Sequence, residues 1–348
     1  MSHRNNFDLL RFAFAFTVFL FHAHVLSGEP ALAFLSRHLS ADLAVKSFFV
    51  VSGYLVLMSY ERARSLGDYA AKRIRRVYPA YFAIVLACAV LGAIITTLPP
   101  AEYLSGGVAR YLAANLVFLN FLAPNLPGVF EANPFTEVNG ALWTLKVEVM
   151  FYAIVPLIAW LCRRLGAARV LAALYLVSVA YYLALGHLAE VRGSRLYAQF
   201  QLQLPGQLAY FVAGAAGFYF DQVLAKRWGL VAVVALAGCA ALAVARSALL
   251  DALLYPAVLA ALVVYAAAGL RYLGNFGRFG DFSYGIYVVH FPLLQVLVSL
   301  GLFRVDPWLG LAAATLGVLA LAALSWHLVE KPFLRRSSHY VIAEAGGT

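Results

Sequence analysis

The chain has 348 residues, 64% of them hydrophobic and 12% charged, with a net charge of +10. A soluble domain averages roughly 45–50% apolar and about 25% charged residues, so a water-soluble fold is excluded and lipid must cover the excess apolar surface. The basic residues sit in short segments between apolar runs, which reads as the inside-positive bias of a membrane protein rather than a nucleic-acid surface.

A membrane-crossing helix needs about 20 mostly apolar residues. In chain order the candidates are Phe7–Leu26, Asp42–Tyr60, Tyr78–Leu98, Gly140–Cys162, Val170–His187, Pro205–Phe220, Gly229–Ala245, Ala252–Leu270, Phe282–Leu302 and Trp308–Val329. The first has the outline of a signal peptide, with Arg4 before it and Ala31 and Ala33 after it. Asp8, Arg11, His22 and His24 interrupt it, so it is read as a retained span. Tyr111–Leu122 is apolar but short, and a re-entrant or interfacial helix is expected there. Cys88, Cys162 and Cys239 lie in or beside apolar runs without C-x-x-C spacing. They predict neither a disulfide framework nor a metal site, only packing.

Alternate loops differ sharply in charge. One side carries Arg4, Arg62, Arg64, Lys72, Arg73, Arg75, Arg76, Arg163, Arg164, Arg169, Lys226, Arg227, Arg271, Arg278, Lys331, Arg335 and Arg336. The other carries only Arg37, Arg110, Arg192, Arg195, Arg246 and Arg304. The bias puts both termini in the cytoplasm. The expected fold is all-α: a polytopic helical bundle of about ten transmembrane helices in the cytoplasmic (inner) membrane. One integral domain is expected over 1–336, with no internal repeat, followed by a short cytoplasmic tail at 337–348.

Ionisable side chains inside spans are costly and usually face the bundle interior or a water-filled cavity. Arg11 and His22 are eleven residues apart, about three turns, and so share a face some 16 Å long. Asp8 lies one turn before Arg11 and could pair with it, while His24 points elsewhere. His22 reads equally as a structural histidine or as a functional one. In the second span, Ser52-Gly53 permits close helix packing or a backbone distortion. The segment Glu61–Val77 is read as a cytoplasmic loop, with Lys72, Arg73, Arg75 and Arg76 as either a positive-inside anchor or a site for a phosphorylated ligand. In the fourth span Glu148 has Thr144 and Tyr152 one turn to either side. Its carboxylate could orient an imidazole or hold a basic group, or form a purely structural pair. Ser283, Tyr287 and His290 form another polar stripe, with a hydrogen-bonded core histidine the favoured reading of His290.

Together these pieces resemble the acyltransferase 3 family of membrane O-acyltransferases, almost end to end. Arg11 and His22, Phe48–Leu55, Arg73-Ile-Arg-Arg76, Trp143–Glu148 with Phe151-Tyr152 and Pro156, Ser283-Tyr284 with Tyr287 and His290, and Glu330-Lys-Pro332 follow the family's order. Thr144 stands where serine is usual, and Lys46 and Lys146 are extra intramembrane charges that bear on the acceptor side. The resemblance implies transfer of an acyl group, acetyl in the first instance, from cytoplasmic acyl-coenzyme A to a hydroxyl of a surface or exported carbohydrate. It implies His22 as base or acyl carrier supported by Arg11 and Glu148. It also implies Arg73 and Arg76, with Arg75 and Lys72, at the coenzyme A phosphates. Asp8, Ser52, Gly53, Trp143, Tyr152, Tyr287 and His290 take supporting places. No permanently bound cofactor and no metal is implied. The partners expected are acyl-coenzyme A, a carbohydrate or lipid-linked glycan and the bilayer, with no nucleic acid. Completion of the transfer is expected to fall to the membrane unit or a separate partner. The competing expectation is a transporter or exporter without covalent chemistry, because intramembrane Arg, His and Glu also suit proton-coupled transport.

Overall fold

A computed structural model describes residues 5–245 and 247–334. Arg4, Arg246, Arg335 and Arg336, which enter the charge argument, and the tail at 337–348 lie outside the described residues. Every regular element among the described residues is helical. The main helices are α1 (Phe7–Ser27), α2 (Ala41–Glu61), α3 (Leu66–Ile95), α4 (Ala109–Leu116), α5 (Trp143–Leu165) and α6 (Ala167–Arg192). They continue with α7 (Leu204–Tyr219), α8 (Trp228–Ala245), α9 (Ala248–Val264), α10 (Phe282–Ser299) and α11 (Pro307–Leu324). Each predicted span coincides with one of these. Among the described residues, 8 helical segments are long and apolar enough to cross a bilayer. The two members of the expected ten outside that set are α7, with 16 residues, and α8.

Helix α4 covers the first half of the segment flagged as short. Its 8 residues extend about 12 Å at 1.5 Å per residue, and the helical turns before it are broken at Gly107, so α4 by itself is too short for about 30 Å of hydrocarbon. It is held in place by Tyr81, whose hydroxyl donates to the Asn115 carbonyl at 2.6 Å, and by Asn115, whose amide donates to the carbonyls of Tyr111 and Ala123.

The expected basic loop at Glu61–Val77 is largely helix instead. Helix α3 begins at Leu66, so Lys72, Arg73, Arg75 and Arg76 all lie on it. The cause is local. The Ser65 hydroxyl accepts from the Asp68 amide at 3.1 Å, and the Asp68 carboxylate accepts from the Arg64 amide at 3.3 Å. This satisfies orphan amides at the helix start in the manner of a capping box.

The helices form two compact units, each visited repeatedly by the chain. Of the described residues, unit one holds those up to Phe7, then Val45–Tyr69 and those of Val147–Gly274; unit two holds Asp8–Ala44, Ala70–Lys146 and those from Asn275. In unit one, α2 and α7 approach backbone to backbone. A Cβ on Gly53 would lie 1.9 Å from the Phe211 carbonyl oxygen, and one on Gly214 would lie 2.0 Å from that of Val50. Close packing, the first of the two readings of Ser52-Gly53, is therefore what Gly53 provides. Phe151 stacks on Phe211 with ring centroids 4.4 Å apart, next to this contact.

Two prolines inside helices leave carbonyls without an amide partner, because proline has no N–H to offer the residue four before it. Pro156 of α5 frees the carbonyl of Tyr152, which accepts from the Tyr69 hydroxyl at 2.9 Å in unit one. Pro292 of α10 frees that of Val288, which accepts from the Asn139 amide at 2.9 Å in unit two. Both buried acceptors are thereby satisfied.

Candidate active site

Unit two carries a buried ion cluster. Asp281 caps the start of α10, accepting from the Ser283 amide at 3.1 Å and from the Ser283 hydroxyl. Its other carboxylate oxygen receives both the Arg11 guanidinium of α1 and the Arg76 guanidinium of α3. Arg76 also binds Glu330 at 3.1 Å, and Glu330 accepts from the Ser325 hydroxyl at 2.9 Å. Side-chain exposures of 16% for Arg11, 11% for Arg76, 3% for Asp281 and 2% for Glu330 show how far the group is removed from solvent. Two cations face two anions, which offsets the desolvation that a lone buried charge would suffer.

Further along the same face of α1, His22 meets His290. His22 Nδ1 lies 2.9 Å from His290 Nε2, and His290 Nδ1 lies 3.1 Å from the carbonyl of Ile286. The tautomers follow from this chain. A carbonyl only accepts, so His290 carries its proton on Nδ1. In a neutral pair His290 Nε2 is then the acceptor, and His22 donates from Nδ1. The lone pair of His22 is thus left on Nε2, fixed as a proton acceptor. Phe291 packs edge-on against the His22 ring, with centroids 5.5 Å apart.

The two contacts also orient the helices. Arg11 and His22 follow one another along α1 as Asp281 and His290 do along α10, so the helices run in the same direction. A first and a ninth span must do so. Had Tyr111–Leu122 crossed, the count would make them antiparallel.

Glu148 belongs to unit one. Its carboxylate accepts from the Ser52 hydroxyl at 3.2 Å and from the Tyr152 hydroxyl. The hydrogen-bond partner of His22 is thus His290 of unit two, and the partners of Glu148 are Ser52 and Tyr152 of unit one. Tyr152 lies on the Glu148 face as the spacing predicts. Thr144 turns to the Tyr287 hydroxyl at 2.5 Å, and Tyr287 is also 3.3 Å from the Ala141 carbonyl. Trp143 is the half-buried first residue of α5, and Lys146 places its ammonium 4.4 Å from the Phe121 ring centroid.

Among the basic residues of α3, Arg75 is exposed and Lys72 and Arg73 are half-buried. Arg76 differs, since both terminal nitrogens engage carboxylates of the cluster. Arg11 likewise reaches Asp281, a partner outside its own helix. Asp8 approaches Gly277, whose Cβ, if built, would lie 2.8 Å from the Asp8 carboxylate. The Nδ1 of His24 is buried without a hydrogen-bond partner among the described residues.

Sequence reasoning did not single out Asp281 or Asn139. Asp281 left a usable signal, because an Asp two residues before Ser283 at the start of an apolar run is a helix cap. The pairing of His22 with His290 left none, since 268 residues separate them.

A family model described as an acyltransferase domain matches residues 4–327. The chain is 31% identical to Nodulation protein 10 of Rhizobium leguminosarum bv. viciae, over 96% of this chain and 94% of that protein. It is also 31% identical to an O-acetyl transferase of Shigella phage Sf6, over 97% and 98%. Identity to the Exopolysaccharide production protein ExoZ of Rhizobium meliloti (strain 1021) is 26%, over 91% and 95%. No solved structure matches the chain.

Proposed function

Because the chain belongs to this acyltransferase family, and is a multi-pass membrane acyltransferase, we propose that it moves an acyl group from acyl-coenzyme A at the cytoplasmic face to a hydroxyl of a cell-surface or exported carbohydrate. The O-acetyl transferase and exopolysaccharide relatives support acetyl as the group and a polysaccharide as the acceptor class. Family membership sets aside the exporter without covalent chemistry.

The observation that carries this reading is the hydrogen-bonded chain from the Ile286 carbonyl through His290 to His22. A sugar hydroxyl is a weak nucleophile until its proton is taken as it attacks. His22 Nε2 takes that proton. The hydroxyl oxygen bonds to the thioester carbonyl carbon, the carbon–sulfur bond breaks, and the coenzyme A sulfur leaves and recovers the proton from His22. If His22 first carries the acyl group itself, the same nitrogen is the nucleophile. Arg73 and Arg75, with Lys72, bind the coenzyme A phosphates, for which guanidinium forks are suited. Arg76 and Arg11 hold the cluster that positions α1 and α3. Glu148 is held by Ser52 and Tyr152, and Tyr287 with Thr144 holds the start of α5.

The test is acceptor-dependent release of coenzyme A by purified protein in lipid nanodiscs. A general base contributes roughly 10²–10⁴-fold, so His22→Ala should lose about that much in kcat. His24→Ala should lose far less, because it lies on another face of α1. Wild-type turnover in well-folded His22→Ala protein would overturn the reading.

A further inference from the structure

Unit one contains a cavity of about 760 Å³ bordered by α6, α7 and α9, with Lys46 of α2 in its wall. This volume falls within the roughly 300–1,000 Å³ of small-ligand sites. Its lining is polar for a membrane protein. Tyr182, Tyr210 and Tyr255 bring rings and hydroxyls, Gln201 an amide, and Glu190 and Asp251 carboxylates. The Lys46 ammonium sits 5.4 Å from the Tyr210 ring centroid and 5.3 Å from that of Tyr255. The Gln201 amide is fixed by donation to the Tyr182 carbonyl at 2.7 Å.

A second cavity in the same unit, about 490 Å³, shows what lipid contact requires. Leu171, Val212, Val264 and Trp228 line it, and no charged residue does. An acyl chain fits that lining. It suits the first cavity poorly, because the half-buried Lys46 ammonium in its wall would be held against hydrocarbon.

The chemistry of the first cavity selects among polar ligands. Glu190 and Asp251 stand against Lys46 and His187 in the lining, so no excess of cationic groups selects a phosphate or other anionic headgroup. Carboxylates, an amide and tyrosine hydroxyls together offer acceptors and donors at several angles, which matches a ring bearing many hydroxyls. The tyrosine faces supply flat apolar surface for the C–H face of such a ring. The rim is built from the end of α6, at Glu190, and the start of α9, at Asp251. That is the side the loop-charge bias assigns to the exterior, where an exported glycan is found.

We propose that this cavity binds one or two neutral sugar rings of the acceptor glycan, apart from the ring that receives the acyl group. The proposal rests on the reading of the acceptor as a carbohydrate, but binding here requires no chemistry at His22.

The test separates the two. Oligosaccharides released by mild acid from the surface polysaccharide of the source cells are the probe. Saturation-transfer difference NMR and titration are run on the purified full chain in nanodiscs. Sugar-ring signals are expected for wild type and for His22→Ala alike. Glu190→Gln and Asp251→Asn, both at exposed positions and of unchanged shape, are expected to bind about tenfold more weakly or worse, since each removes a charge-assisted hydrogen bond. Tyr255→Ala should abolish the signal, and Tyr255→Phe should restore part of it by returning the ring. No sugar signal in wild type, or undiminished binding in both carboxylate variants, would overturn the proposal. So would retention of an anionic phospholipid that the Lys46→Met variant releases. Loss of turnover in His22→Ala with sugar binding retained supports both readings. Retained turnover would sink the catalytic reading alone.

Discussion

His290 touches no substrate in the proposed reaction, and yet its loss should slow the chemistry through His22. Consider His290→Phe, which keeps an aromatic ring in the buried position and removes the acceptor for His22 Nδ1. The proton on Nδ1 then has no partner at 2.9 Å. A buried donor left unsatisfied costs about 1–3 kcal/mol, so the tautomer with its lone pair on Nε2 loses about that much relative to the alternative. At about 1.4 kcal/mol per factor of ten, the competent fraction falls roughly 5–150-fold. The loss should appear in kcat, with KM for acyl-coenzyme A unchanged, because His290 positions the base and does not hold the donor. His290→Gln returns a carbonyl acceptor at similar reach and should recover part of the rate. The assay is steady-state thiol release at saturating acceptor, on protein shown by its thermal midpoint to be folded. Equal kcat for wild type, His290→Phe and His290→Gln would refute the reasoning, and so would a change confined to KM.

Further outcomes follow from the packing and the charges. Asp281→Asn leaves two arginines facing one carboxylate and should destabilise the protein by about 3–5 kcal/mol, read as a lowered unfolding midpoint in detergent. Arg76→Met combined with Glu330→Met should cost less than the sum of the single changes, since each single leaves the other charge unpaired; additive losses would mean the pair is not coupled. Gly53→Ala and Gly214→Ala should fail to accumulate as folded protein, because each new Cβ would meet a backbone carbonyl; Gly229→Ala, with nothing within 4 Å, should express normally. External thiol labelling should fail at Arg64→Cys and succeed at Glu190→Cys, and the reverse pattern would invert the membrane topology.

The spans were legible in the sequence because hydrocarbon leaves little choice: twenty apolar residues in a row must become a helix. The polar stripes were legible too, since the helical repeat places Arg11 with His22 and Glu148 with Tyr152 on one face. Partners across the bundle were not. The distance along the chain from His22 to His290, and from Arg11 to Asp281, carries no periodic signal, so spacing could offer Arg11 only the neighbouring Asp8. The stretch from Leu66 to Val77 failed for a different reason. Charge density suggested a loop, while the Ser65–Asp68 cap, a cue of two residues, made it helix. Gly53 could be read as a packing residue, yet its counterpart Gly214 lies in an unremarkable Ala-rich run and shows its purpose only against Val50.

That cap has a consequence for how this enzyme tolerates change. With Ser65 fixing where α3 begins, the angular phase of every residue up to Arg76 is set, at about 100° per residue. Arg76 turns inward to Asp281 and Glu330, and Arg75 turns outward, only because they stand eleven and ten places past Ser65. Deleting one residue between Gly67 and Tyr69 would keep every cation and every apolar run, but it would swing the arginines about a third of a revolution out of phase with the carboxylates that wait for one of them. The short stretch between the cap and the cluster therefore behaves as a reading frame: substitutions within it are local events, and an insertion or deletion of a single residue is a global one.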